Sequence, residues 1–177
     1  MTISAPKQRD VVCVAFSRNN EYIAAGLDDG FVCVWNALTG MRVCGPLDAH
    51  ADQLSGDEDE EPNGGPCEGE LLVKGAVEER KFGGFVSSLA FSHNGRCLAT
   101  GTSDGSIRIL DVSTGWEIAV GGQQRILKRH RGAVSSLSFS QDDKQLISGS
   151  QHSQVLIWDL ENGEVIAEPF TGHCSAV

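Results

Sequence analysis

The feature that restricts the fold of this chain most strongly is an internal repeat. Three gapless segments of 35 residues, 10–44, 85–119 and 133–167, align with one another at offsets of 75 and 48 residues. The second and third segments share 13 identical positions and the first and second share 11, where ordinary residue frequencies would give roughly two by chance. Such a chain is expected to fold as a series of similar units that bury their apolar faces against one another.

Each unit has the pattern of four short strands joined by tight turns. In the second unit, apolar residues alternate from Val86 to Phe91, and Asn94-Gly95 then marks a turn. The later strand-like segments of that unit are 97–102, 107–110 and 117–120, and those of the third unit are 134–139, 145–150, 155–158 and 165–167. No apolar period of 3.6 residues competes with them. The sequence therefore predicts an all-β protein of four-stranded antiparallel sheets.

Repeated four-stranded units of this length are typical of propeller blades. Three motifs of the chain resemble the turn after the second strand, the Trp-Asp dipeptide and the Gly-His dipeptide of the WD-repeat family, and they are 99–105, 155–159 and 171–173. The resemblance implies an incomplete β-propeller arc of about three blades. On this basis the chain divides into three repeats, at 7–50, 82–129 and 130–171. An acidic insertion, expected to be disordered, lies at 51–81, and a truncated fourth repeat starts at 172–177.

Three explanations for an incomplete arc are open, since a propeller needs about four to eight blades to close. The chain is an incomplete or mis-spliced gene product, a fragment of a larger ring, or an arc completed by another chain. We favour the first two, because pairing between separate arcs requires matched strand registers and the sequence contains no sign of them. An isolated arc is expected to be open and marginally stable.

The family resemblance also implies a hydrogen-bonded relay in each blade, made by a His before the first strand, a Ser or Thr on the second, an Asp in the next turn and a Trp on the third. Such a relay satisfies polar groups that a small blade buries, at about 1 kcal/mol net per bond. The residues that match it are His130, Ser148 and Trp158 in the third unit, Thr100 and Asp104 in the second, Asp29 and Trp35 in the first, and His173 in the fourth. No unit is complete, because other residue types stand at Lys7, Ala25, Phe82, Leu110 and His152.

The acidity of the chain is concentrated in the insertion. The formal net charge is -10, and residues 51–80 contribute -8 of it through ten acidic and two basic side chains. Low apolar content and self-repulsion are typical of disorder. One interpretation is a solvated loop that the fold tolerates, which we favour because aromatic anchors are lacking nearby. The other is a binding site for a basic partner, such as a histone tail or Lys-rich segment, through Asp57, Glu58, Asp59, Glu60 and Glu61.

Residue patterns argue against several kinds of site. The six cysteines form no CxxC pair, so we expect buried thiols in a reducing compartment, with zinc or disulfides as a minor alternative. The five histidines lack metal-ligand spacing and the chain has no Gly-Lys pair, so neither a metal nor a nucleotide cofactor is expected. Negative charge disfavours nucleic acid and anionic lipid as partners, and no apolar stretch reaches the length of about 18 residues that a membrane span needs. We expect the protein in the cytoplasm or nucleus.

The leading functional hypothesis is a non-catalytic adaptor or scaffold that binds other proteins or peptides, in an oligomeric state that the sequence leaves open. Propeller function resides on the loops, and the candidate contact residues at the first-strand entrances are Phe85, Ser87, Arg131 and Ser135. The alternative is a ligand-sensing array of a NACHT-type signalling NTPase, which the phrases 44–50 and 167–173 resemble, with the enzymatic domain outside this chain. A ubiquitin-ligase substrate receptor is disfavoured because Glu161 replaces the Arg of the WDxR pattern.

Overall fold

The computed structural model describes residues 9–47, 84–122 and 126–167. Every helix or strand assigned within those ranges is a β-strand. The strands form three four-stranded antiparallel sheets, and within each sheet the spatial order follows the order along the chain. The prediction of all-β, blade-like units is therefore confirmed.

One sheet corresponds to each sequence unit. Blade 1 contains β1 (Val11–Phe16), β2 (Tyr22–Leu27), β3 (Val32–Asn36) and β4 (Arg42–Leu47). Blade 2 contains β5 (Val86–Phe91), β6 (Cys97–Thr102), β7 (Ser106–Asp111) and β8 (Ile126–Lys128). Blade 3 contains β9 (Val134–Phe139), β10 (Gln145–Ser150), β11 (Val155–Asp159) and β12 (Val165–Ala167). The first two strands pair at equivalent positions in all blades, Phe16 with Ile23, Phe91 with Leu98 and Phe139 with Leu146.

The fourth strand of blade 2 lies further along the chain than the sequence predicts. The expected strand at 117–120 is wrong: Glu117 makes only an isolated bridge to Leu110, and β8 provides the outer strand instead. Gly121 and Gly122 both have positive φ and interrupt the extended chain before β8. Glu117 also accepts a hydrogen bond from the buried Arg108 guanidinium at 2.6 Å, which ties this segment to the third strand by its side chain.

The core lies between blades. We define the leading face of a blade as the side towards the preceding unit and the trailing face as the side towards the following unit. The trailing face of blade 1 (Ala24, Val32, Val34) packs on the leading face of blade 2 (Val86, Leu89, Phe91, Leu98, Leu110). The trailing face of blade 2 (Ala99, Ile107, Ile109) packs on the leading face of blade 3 (Val134, Leu137, Phe139, Leu146, Trp158). Alternation along the strands therefore supplies each blade with two apolar faces.

The turn after the second strand requires one left-handed residue in every blade. That residue is Gly30 (φ 88°), Gly105 (φ 83°) or Ser153 (φ 59°). Glycine adopts this conformation without a steric penalty. At Gly105 there is a second reason for glycine, because a Cβ would lie 2.5 Å from the carbonyl oxygen of His130. The turn of blade 2 thus packs tightly against the entry to blade 3.

Candidate functional site

In blade 3, three of the relay residues are hydrogen-bonded to one another. The hydroxyl oxygen of Ser148 lies 2.6 Å from Nε2 of His130 and accepts a hydrogen bond from the indole Nε1–H of Trp158 at 2.8 Å. All three side chains are buried, and the imidazole and indole rings meet edge to face with centroids 6.3 Å apart. The Ser148 hydroxyl can accept two hydrogen bonds and donate one, so its bond to Nε2 of His130 is compatible with either tautomer of the imidazole.

The fourth place of this relay is occupied differently from the family pattern. His152, at the position where Asp is expected, is exposed. The side chain of Gln154 interacts with His130 instead, and Oε1 of Gln154 and Nδ1 of His130 are both buried. Burial lowers the pKa of His130 below its ordinary value, and the interaction with Gln154 opposes this only in part. The imidazole is therefore neutral at pH 7. Sequence comparison missed Gln154 because the aligned residues are Phe31 and Ser106.

In blade 2 the two expected relay residues are not joined to each other. The Thr100 hydroxyl donates to the carbonyl oxygen of Arg108 at 3.5 Å, whereas the Asp104 carboxylate accepts hydrogen bonds from Thr102 and Ser106. Burial raises the pKa of Asp104. This effect is outweighed by hydrogen bonds from the Ser106 and Thr102 hydroxyls and the Ser106 amide and by the charge of Lys128, which together lower the pKa to about 2. Asp104 thus holds its own turn together as an anion.

In blade 1 the expected relay residues also have separate partners. The Asp29 carboxylate pairs with the Arg9 guanidinium at 2.7 Å, and that guanidinium carbon lies 4.0 Å from the centroid of the Phe31 ring. Trp35 is buried in an apolar cluster that also contains Phe31. Ala25 stands where Ser148 stands in blade 3, so it offers no hydroxyl to the Trp35 indole.

The candidate contact residues lie at the starts of two adjacent first strands. The Ser87 hydroxyl lies 2.6 Å from the carbonyl oxygen of Val134, so the starts of β5 and β9 are side by side. Phe85 and Arg131, which precede these strands, are exposed. Ser87 is half-buried and Ser135 is exposed. The Ser135 hydroxyl donates to the backbone of its own blade, to the Gly149 carbonyl at 3.1 Å.

Several sequence predictions fall on residues outside the described ranges. They are His173 of the fourth-repeat entry and the acidic residues Asp57, Glu58, Asp59, Glu60 and Glu61. Their proposed roles stay predictions.

The cysteines in the described ranges are free thiols, and they are Cys13, Cys33, Cys44 and Cys97. Burial raises the pKa of all four, to about 11 for Cys13 and about 12 for Cys44. They stay protonated at neutral pH and are poor nucleophiles. Among the described residues, no group of three or more His, Cys, Asp or Glu side chains is placed to hold a metal ion. The same part of the chain contains no helix that is long and apolar enough to cross a membrane.

Comparison with known proteins identifies the architecture. The family model of the Nucleolar protein 10-like, N-terminal domain, a β-propeller, matches residues 1–169. The chain belongs to this family. The resemblance to WD-repeat propellers is thereby confirmed, because the solved structures that share its fold include WD40 repeat proteins.

Three solved structures illustrate the shared fold. U3-55K is 20% identical with a TM-score of 0.71, and the match covers 98% of this chain and 42% of that chain. The RRP9 WD40 repeats are 20% identical with a TM-score of 0.68, at 98% and 42% coverage. The computationally designed Ika4 protein is 22% identical with a TM-score of 0.65, at 97% and 79% coverage. This member of the Nucleolar protein 10-like family therefore spans less than half the length of U3-55K or the RRP9 repeats.

Proposed function

We propose that the protein is a non-catalytic scaffold that binds other proteins or peptides at the first-strand entrances of blades 2 and 3. The observation that carries the proposal is the exposure of Phe85 and Arg131 at the starts of two adjacent strands. Aromatic and Arg side chains are the types that dominate binding energy at protein interfaces. Both residues adjoin strands of the sheets, so the backbone that carries them is already ordered before binding.

The polar residues of the relay support a structural role rather than catalysis. A catalytic Ser-His pair must reach a substrate. His130 and Ser148 are instead buried and hydrogen-bonded to each other, and Ser148 also accepts from Trp158. Their chemistry is used to satisfy groups within the blade.

The family description favours the nucleus as the site of action, and more narrowly the nucleolus, since it names a nucleolar protein. This narrows the expectation of cytoplasm or nucleus. The family description names no NACHT-type NTPase, so the sensor-array alternative gains no support from it. The acidic insertion 51–81 is a second candidate contact for a basic segment of the partner.

The test compares substitutions at the proposed contact with one elsewhere on the surface. Phe85→Ala and Arg131→Ala should each weaken capture of proximity-labelled nuclear partners by about tenfold, the effect of losing one interface anchor. Leu38→Ala, also at an exposed apolar residue but in a turn of blade 1, is the matched control and should leave capture unchanged. Capture that is the same for all three variants and the native chain would show that the partner binds elsewhere.

A further inference from the structure

The turn between the second and third strands is built from different side chains in each blade, and the repeat makes the three turns comparable. One residue ends the second strand, one lies in the turn, and one precedes or begins the third strand. In chain order they are Leu27, Asp29 and Phe31 in blade 1, Thr102, Asp104 and Ser106 in blade 2, and Ser150, His152 and Gln154 in blade 3.

In blade 2 a carboxylate satisfies the polar groups that the turn buries. The Thr102 and Ser106 hydroxyls are buried and lie 2.8 Å apart. Both donate to Oδ1 of Asp104, and the Ser106 amide donates to the same oxygen at 3.0 Å. Blade 1 instead buries Leu27 and Phe31 at the flanking positions, so these side chains need no polar partner.

Blade 3 keeps polar side chains at the flanking positions but has no carboxylate between them. Ser150 is fully buried, and its hydroxyl oxygen forms no hydrogen bond with a protein group in the described ranges. Oε1 of Gln154 and Nδ1 of His130 are also buried and unpaired within those ranges. His152, which replaces the aspartate, is exposed. Buried polar atoms of native proteins are normally hydrogen-bonded, to protein or to ordered water.

The three unpaired atoms belong to neighbouring side chains. The Ser150 amide donates to the Gln154 carbonyl oxygen at 3.0 Å, so these two residues flank the turn as Thr102 and Ser106 do in blade 2. The Gln154 side chain also lies close enough to the His130 imidazole to oppose the lowering of its pKa by burial. Gln154 is therefore adjacent to both of the other residues.

We propose that blade 3 encloses one ordered water molecule between Nδ1 of His130, Oγ of Ser150 and Oε1 of Gln154, where blade 2 has the Asp104 carboxylate oxygen. Water fits this set because it donates to Oε1, which only accepts, and can donate to or accept from the hydroxyl and the imidazole in either tautomer. It then makes about three hydrogen bonds, the typical number for a buried water. Solvent does not reach the three atoms, which disfavours a larger ligand.

This water is the fourth member of the blade 3 relay. It links the His130 imidazole to the turn, as an aspartate does in the family pattern, and bonds of this kind are nearly as favourable as direct ones. Position 152 is thereby released from holding the turn, which is consistent with the exposure of His152. The proposal is independent of the partner-binding role.

A crystal structure of the 177-residue chain tests the site directly. We expect the density of a single water oxygen at hydrogen-bond distance, about 2.7–3.2 Å, from His130 Nδ1, Ser150 Oγ and Gln154 Oε1. Direct hydrogen bonds among the three side chains, the lack of ordered density between them, or density for a larger group would overturn the proposal.

His152→Asp tests in solution whether the site is equivalent to that of blade 2. The new carboxylate should replace the water and bind the same atoms more strongly, because charge-assisted hydrogen bonds exceed neutral ones. We expect Tm to rise by about 2–4 °C, measured at about pH 8, where histidines are neutral. Gln151→Asp, at an exposed residue of the same turn, is the matched control and should leave Tm unchanged. Equal Tm values for the two variants would show that residue 152 does not reach the relay and would also overturn the proposal.

Discussion

At the scale of single residues, the most informative group is the buried relay of blade 3. The Ser148 hydroxyl is hydrogen-bonded to both His130 Nε2 and the Trp158 indole, and removing one member would leave a buried polar group unpaired. The relay forms where all three residue types coincide. In blade 1 the hydroxyl is replaced by Ala25, and in blade 2 the indole is replaced by Leu110. The other blades stabilise their turns through carboxylates instead.

The lowered pKa of His130 predicts a pH dependence of stability. A histidine whose pKa is lower in the folded state than in the unfolded state binds fewer protons when folded, so folding is disfavoured by acid. Its contribution should be complete above the unfolded pKa of about 6.5 and should be lost as the pH falls through the folded value. Urea unfolding of His130→Gln between neutral and mildly acidic pH should therefore show a smaller loss of stability than the native chain.

The matched control for this pH effect is His152→Gln, because His152 belongs to the same blade but is exposed. It should retain the pH dependence of the native chain. An equal loss of pH dependence in both variants would mean that the burial of His130 is not its source.

At the scale of elements, the turn between the second and third strands of blade 2 places two constraints on Gly105. Gly105→Ala should destabilise the protein for two reasons, the positive φ and the approach of the new Cβ to the His130 carbonyl. Gly122→Ala isolates the first reason, since its φ is 75° but no heavy atom lies within 4 Å of the Cβ position. It should cost about 1 kcal/mol in the free energy of unfolding, and Gly105→Ala clearly more. Equal losses in thermal melts would contradict the tight turn contact.

Much of the element structure could be predicted because strand patterns recur at a fixed spacing. The alternation from Val86 to Phe91 and the turn after it appear again in the other units, and local pattern and repeat agree there. The pattern of apolar residues predicted the fourth strand of blade 2 at 117–120. In the structure, the Glu117 side chain is bonded to the third strand, and Gly121 and Gly122 have positive φ and interrupt the extended chain. These are conformational facts that residue alternation does not encode.

The candidate site was predictable to a similar degree and for a similar reason. Repeat alignment finds His130, Ser148 and Trp158 because each matches a family position. It cannot find Gln154, which contacts His130 through the three-dimensional course of the turn. Nor can it find the Asp104 contacts to Thr102 and Ser106, which depend on how closely the turn folds back on itself.

At the scale of the whole molecule, the position of the core determines how the blades depend on one another. The trailing face of one blade and the leading face of the next pack together into one apolar cluster. A blade therefore loses part of its core when its neighbour is removed. This explains why equivalent residues such as Val11 and Val86 differ in exposure although their type is the same.

Amide hydrogen exchange of Ser148→Ala, measured by mass spectrometry against the native chain, tests whether the core is shared between blades. The substitution lies in β10 of blade 3, but its neighbours pack with the trailing face of blade 2. We expect exchange to accelerate in β6 as well as in β10, because both strands open through loss of the same core. Acceleration confined to β10, with β6 exchanging as in the native chain, would show that each blade is stabilised on its own and would contradict a core lying between them.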